Sequence, residues 1–263
     1  MKLEMSFLSR LADRLILCPS THPIDPEGKR REVVTSGPGK VECWVGAYPQ
    51  AATEFDLVVI KFPGTGGRAE RARIHPAEVW PDLRTEVWTV NQKGYGGSDG
   101  PASIQNFVDT SLSVFDDVVN ARKGVHVVAM GNSLGCISAL HLAARRDVVG
   151  IMLRNPPALQ QMICTRPRYA AWNFGLSRWI AAQVPDELDS VANAARCTAP
   201  CLFVQSELDR VVPVEYQNQI IAAYSAPKRV FSIAGADHHE LVTEHQQEEY
   251  LDALKWLRVQ LNV

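Results

Sequence analysis

Apolar residues gather along this chain in two kinds of pattern. Six short apolar, β-rich runs recur at 56–62, 86–91, 125–130, 148–155, 201–206 and 228–233, mostly continuous rather than alternating. A strand with one face in water alternates apolar and polar side chains, whereas a continuous run marks a strand buried on both faces of a parallel sheet. Between several of these runs, apolar residues recur at three- and four-residue steps. Ile104, Phe107, Val108, Leu112, Phe115, Val118 and Val119 make one such helical stripe. The stretch from Leu134 to Arg146 and the terminal set Leu251, Leu254, Leu257 and Leu261 repeat the pattern. Strands alternating with helices predict an open α/β sheet with right-handed crossovers. Ahead of this array, 31–35 and 40–48 flank a Ser-Gly-Pro-Gly turn, which predicts an antiparallel hairpin at the sheet edge. The expected fold is α/β, a mostly parallel eight-stranded sheet flanked by helices.

The alternation lapses at about 156–196, a segment rich in Arg, Trp and Asp that lies between two core strands. Its position predicts a small helical lid inserted into one domain spanning 1–263. The size agrees, since ~100–200 residues per domain allow one large domain or two small ones for 263 residues. Such a chain buries enough surface to need no disulfide or metal staple.

Charge narrows the function classes. Lys and Arg total 27 against 29 Asp and Glu, a net charge of −2. A nucleic-acid or anionic-membrane binder normally shows a basic excess, so neither partner is expected. No apolar run approaches the ~18–20 residues of a membrane helix. Lys2, Glu4, Arg10, Asp13 and Arg14 interrupt the N-terminal apolar residues, which predicts an amphipathic helix packed on the domain rather than a secretory signal. Met5, Phe7, Leu8 and Leu11 would be its route to a peripheral membrane contact. The six cysteines show neither zinc-type pairs nor a disulfide framework, so Cys197 and Cys201 are expected to be buried inert thiols and the setting a reducing cytoplasm.

The strongest chemical signal is Val-His-Val-Val-Ala-Met-Gly-Asn-Ser-Leu-Gly at 125–135, a strand run leading into a helix pattern. In a G-x-S-x-G elbow the serine sits on a strained strand-to-helix turn, and Gly131 and Gly135 relieve crowding around it. The turn exposes the Ser133 hydroxyl and points the Leu134 N–H at a developing oxyanion.

Here the chain resembles the α/β-hydrolase family, over nearly its whole length. Phe-Pro-Gly-Thr-Gly-Gly at 62–67, after the first parallel strand, looks like the family's oxyanion loop, with Pro63 where a histidine is common. That alignment makes the Thr65 N–H the second oxyanion donor. Asn-Gln-Lys-Gly-Tyr-Gly-Gly-Ser-Asp at 91–99 resembles a structural turn of the family, with Asn91 in place of its usual acid. Ser-Glu-Leu-Asp-Arg-Val-Val-Pro at 206–213 is similar to the family's acid loop and implies Asp209 as the triad acid, ahead of Glu207. The other strand end where relatives carry this acid reads Arg154-Asn155 and offers no carboxylate. Ala-Gly-Ala-Asp-His-His-Glu at 234–240 looks like the family's histidine loop. It implies His238 as base, with His239 projecting elsewhere and Glu240 beginning the C-terminal helix. Ser133, Asp209 and His238 then follow the chain order of this fold.

Rival chemistries fit less well. The histidine-rich stretch 238–245 lacks zincin spacing, because the position four after His239 is Thr243, so no metal is expected. The glycine loops complete no nucleotide motif, and no cofactor is implied. Tyr169, Trp172, Phe174 and Trp179 in the lid segment either line an acyl pocket or hold the lid on the core. Arg166, Arg168 and Arg178 read as a solvated face, with an anionic leaving group as the other reading. The resemblance implies a cofactor-free serine hydrolase that cleaves a carboxylic ester, with thioester or amide as neighbours. Acyl transfer on the same triad, or ligand binding without catalysis, are the competing classes.

Overall fold

A computed structural model describes residues 13, 16–165 and 174–263, with the side chains of 174–177 left aside. Eight strands form one sheet in the order β1-β2-β4-β3-β5-β6-β7-β8. β1 (Arg30–Ser36) and β2 (Gly39–Tyr48) are the antiparallel edge hairpin, and β2 also pairs antiparallel with β4 (Thr85–Val90). From β4 onward every pairing is parallel, through β3 (Leu57–Phe62), β5 (His126–Asn132), β6 (Gly150–Arg154), β7 (Cys201–Ser206) and β8 (Lys228–Ile233).

The uninterrupted apolar runs have a direct cause. Successive side chains on a strand point to opposite faces, and here each face meets its own core. Val58, Ile60, Phe62, Val127, Ala129, Ile151, Leu153, Cys201 and Phe203 enter one core. Leu57, Val59, Val128, Met130, Met152, Leu202 and Val204 enter the other. Each fully buried Val, Leu or Ile stabilises the fold by about 1.5–3 kcal/mol. The outermost strands depart from the expectation of buried faces. β8 exposes Lys228, Val230 and Ser232 on one face and buries Phe231 and Ile233 on the other, as a half-covered edge strand does.

The helices fill both faces. The first core lies under α1 (Asn106–Ala121) and α2 (Gly135–Ala143), the second under the C-terminal helix. Between β6 and β7 the described residues form α3 (Leu159–Thr165), α4 (Phe174–Ala181) and α5 (Ser190–Ala194), within the expected lid segment. After β7 comes α6 (Val214–Ala223), and α7 (Gln247–Gln260) closes the chain. The expectation that Glu240 opens this last helix is corrected. Residues 239–243 form no helix, and the Glu240 carboxylate accepts from the Asp237 N–H at 2.7 Å. Glu248 and Glu249 take the first-turn position instead, where carboxylates meet the positive end of the helix.

Tyr169, Trp172, Arg166, Arg168, the Phe174 side chain and the N-terminal residues Met5 to Leu11 lie outside the described residues. Among those described, no helix is long and apolar enough to cross a membrane.

Candidate active site

The carboxyl ends of β3, β5, β7 and β8 converge on one cavity of about 690 Å³. Ser133 stands at the end of β5 with φ +51°, in the left-handed region that costs a non-glycine residue about 1–3 kcal/mol. The turn is held by the Ser133 N–H donating to the Arg154 carbonyl at 2.8 Å, while its own carbonyl accepts from the Cys136 N–H at 2.9 Å. The two glycines are demanded by backbone approach. A Cβ on Gly135 would lie 2.0 Å from the Phe62 carbonyl oxygen, and one on Gly131 would lie 2.4 Å from Cys136 Cα. α2 can therefore start directly beneath the serine.

Asp209 reaches the same place from the loop after β7. Its Oδ1 accepts from the Val211 and Val212 N–H groups at 2.8 and 2.7 Å. Its Oδ2 accepts from Gln217 Nε2 at 3.3 Å and faces His238 Nδ1 at 2.6 Å. With every direction occupied, the buried carboxylate has one orientation. His238 Nε2 lies 2.9 Å from Ser133 Oγ. The structure thus joins Ser133, His238 and Asp209 in one hydrogen-bonded line. Glu207, the rival acid, is exposed and accepts from the Gly235 N–H at 2.7 Å. His239 is exposed and packs edge-on against His238, ring centroids 4.9 Å apart.

Thr65 and Leu134 both line the cavity. Gly64 brings their two segments together, since a Cβ there would lie 3.0 Å from the Asn132 carbonyl oxygen and 3.1 Å from Ser133 Cβ. The segment following Thr65 is anchored by a buried polar network. Asn91 Oδ1 accepts from the Ala69 N–H at 2.9 Å, and Asn91 Nδ2 donates to Glu42 at 2.8 Å and Glu70 at 3.1 Å. Arg68 pairs with Glu70, buried alongside it. An acid at position 91 would face the Glu42 and Glu70 carboxylates, so the amide suits this site.

Three supporting groups escape the motif reading. Asn155, fully buried at the end of β6 with φ +50°, donates to the His238 carbonyl at 3.2 Å and to Ser206 Oγ at 3.1 Å. Its side-chain oxygen accepts from the Ser206 N–H at 2.8 Å. Gln217, on α6, steadies Asp209. Asp237 accepts from the Arg210 N–H at 2.9 Å and pairs with the Arg210 guanidinium, fastening the acid loop to the histidine loop. Those hydrogen bonds, from Arg210 and the His238 N–H, hold its carboxyl well below the usual range. An asparagine after a strand, a glutamine on a helix and an aspartate before a histidine are too common to stand out in sequence.

No family model matches the chain. An uncharacterized protein of Mycobacterium tuberculosis is 26% identical over 249 residues, covering 90% of this chain and 83% of that one. Alpha/beta hydrolase domain-containing protein 17B of Xenopus laevis is 21% identical over 66% of this chain, which spans only 56% of that relative. The solved structure of the Pyrococcus furiosus esterase Pf2001 superposes with a TM-score of 0.66, covering 92% of this chain and 98% of that one at 13% identity. The chain has the α/β-hydrolase fold. Within that fold the elbow and both loops stand at the strand ends named from the sequence.

The segment after β6 supplies part of the cavity wall through Leu159, Met162, Ile163 and Ile180. Trp179, of the aromatics expected in a lid the one whose side chain is described, is half-buried beside Ile180, which reaches the cavity wall. No group of three or more metal-ligating side chains occurs among the described residues.

Proposed function

We propose that this chain is a cofactor-independent serine hydrolase that cleaves a carboxylic ester through an acyl-enzyme. The observation that carries the reading is the line from Asp209 Oδ2 to His238 Nδ1 at 2.6 Å and from His238 Nε2 to Ser133 Oγ at 2.9 Å. Its members come from three separate strand ends, which a merely structural hydrogen bond does not require. Ser133 Oγ attacks the ester carbonyl as His238 Nε2 takes its proton. The N–H groups of Thr65 and Leu134 stabilise the oxyanion, and Asp209 holds the imidazolium. Collapse breaks the bond to the alcohol, which leaves with the proton from His238. Water then gives a proton to His238, attacks the acyl carbon and releases the acid, returning the proton to Ser133.

Residues 156–196 act as a lid in this reading. The segment is small, about forty residues, which suits short or medium acyl groups better than long lipid chains. A cytoplasmic setting belongs to the same proposal. Cys43, Cys136 and Cys201 are buried in the core with thiols pushed well up by burial, and Cys197 is pushed up to about 12, so these four are inert, whereas Cys18 is exposed and Cys164 half-buried.

A fluorophosphonate probe tests the chemistry directly. The expected result is one covalent adduct, mapped to Ser133 by mass spectrometry, together with hydrolysis of p-nitrophenyl acetate to hexanoate faster than palmitate. Folded protein that takes up no probe and cleaves none of these esters would overturn the reading.

A further inference from the structure

The cavity has two chemically different sides, and the sheet order sets them apart. β5, which carries Ser133, lies between β3 on one side and β6 and β7 on the other. The side beyond β6 and β7 is aliphatic, built from Pro157, Leu159, Met162, Ile163 and Val212. The side at β3 is cationic. Lys61 of β3, with Arg68 and Arg71 from the turn that follows the oxyanion loop, lines the same cavity. Among the described residues, no Asp or Glu lines it.

The three cations differ in what occupies them. Arg68 is spent internally, since it is buried, paired with Glu70 and bonded to the Ser20 and His22 carbonyls at 3.0 Å each. Arg71 is exposed, and its polar neighbour is the His22 ring at 3.5 Å, with no carboxylate in ion-pair range among the described residues. Lys61 donates to two backbone carbonyls, Arg73 at 3.0 Å and His75 at 3.4 Å. An ammonium has three protons to donate, and these carbonyls take two of them. Burial draws the Lys61 ammonium down to about 8, with Glu78 opposing the shift. Lys61 and Arg71 thus line one cavity that no described carboxylate lines, which gives an entering anion a wall of complementary charge.

We propose that the preferred ester carries an anionic group, a carboxylate or a phosphate, which Arg71 and Lys61 bind on the β3 side while the aliphatic side holds its hydrocarbon part. This rests on the hydrolase reading above and narrows it to a substrate class. A guanidinium offers two parallel N–H donors to either anion, and the lysine adds a point charge. The shared chemistry does not depend on whether the anion belongs to the acyl or the alcohol half.

The test compares matched esters on the full chain. 4-Nitrophenyl valerate is the neutral reference, and mono-4-nitrophenyl glutarate places a carboxylate on the acyl half. 4-Carboxyphenyl valerate and 4-phosphonooxyphenyl valerate place the anion on the leaving half, with 4-carbamoylphenyl valerate as their neutral partner. At least one charged ester should show a KM tenfold or more below its neutral partner, and the arm that does so identifies the half that bears the anion. Arg71→Met and Lys61→Met should each raise that KM at least tenfold more than the KM of the neutral partner. Arg71 is exposed, so its variant decides the matter even where loss of Lys61 harms folding. The same five esters are titrated calorimetrically into Ser133→Ala, which reads affinity without turnover. If wild type cleaves none of them, the hydrolase reading fails, and the ratio of charged to neutral Kd still decides this inference. Equal affinity for charged and neutral esters, or a preference that survives Arg71→Met, overturns it.

Discussion

Two neighbouring strand ends make the same unusual turn for different ends. β5 and β6 are adjacent and parallel, and each delivers a non-glycine residue into left-handed backbone, Ser133 at φ +51° and Asn155 at φ +50°. The turns touch, because the Ser133 N–H donates to the carbonyl of Arg154, the residue before Asn155. At the first, a helix starts at once and crowds the strand so closely that glycine is required at 131 and 135. At the second, the chain moves away toward α3, and no glycine flanks the turn. One therefore leaves a motif in the sequence and the other leaves none, although both shape the same site. What a motif records is the crowding around a residue, not its importance.

The comparison can be broken at either end. The largest effect is expected from Ser133→Ala, which should lose at least a thousandfold in kcat/KM on an activated ester while keeping its thermal midpoint. Activity within tenfold of wild type would remove the serine from the mechanism. His238 is shared by both turns, since Ser133 meets its ring and Asn155 its carbonyl. His238→Ala should also lose at least a thousandfold, roughly 4 kcal/mol of transition-state stabilisation. His239→Ala, measured beside it on a neutral ester, should stay within about tenfold. The opposite ranking would move the base to His239.

A smaller effect, on stability rather than chemistry, is expected at the glycine. Gly135→Ala sets a methyl 2.0 Å from the Phe62 carbonyl oxygen, so backbone must shift, at a cost of about 3 kcal/mol or more in urea unfolding. A variant as stable as wild type would show that β3 and α2 can part freely.

The smallest effect sharpens the comparison most. Asn155→Gly permits the left-handed backbone but deletes three side-chain hydrogen bonds, leaving the Ser206 N–H and His238 carbonyl without that partner. It should lower kcat about 10–100-fold with KM nearly unchanged, because the base is less well held while the cavity is intact. An unaltered kcat would reduce Asn155 to a packing residue. A larger loss in Asn155→Ala than in Asn155→Gly would measure the strain separately from the bonds.

Much of this protein was legible before its coordinates. The strands from β3 to β7 and the hairpin appear in the sequence to within a few residues, because a strand buried on both faces needs an unbroken apolar run and a tight turn needs glycine. The elbow was legible for the same reason, since its glycines answer contacts close to them in the chain. Asp209 and His238 came from resemblance to known loops, and their distances to each other and to Ser133 came only from the fold. β8 was also bounded correctly at 228–233, but it buries one face only, and Glu240 looked like a helix start when its carboxylate closes a turn on Asp237. Asn155, Gln217 and the Arg210–Asp237 clasp had no local signature at all. Gln217 reaches back only eight residues to Asp209, but Asn155 and the clasp act on groups brought near by other strands, and pairing across a sheet is a property that neither partner's own segment encodes. So too with the cavity's two sides: the sequence alone placed Lys61, Arg71 and Met162 far apart along the chain, and only the order of strands in the sheet set cations on one flank of Ser133 and aliphatic side chains on the other.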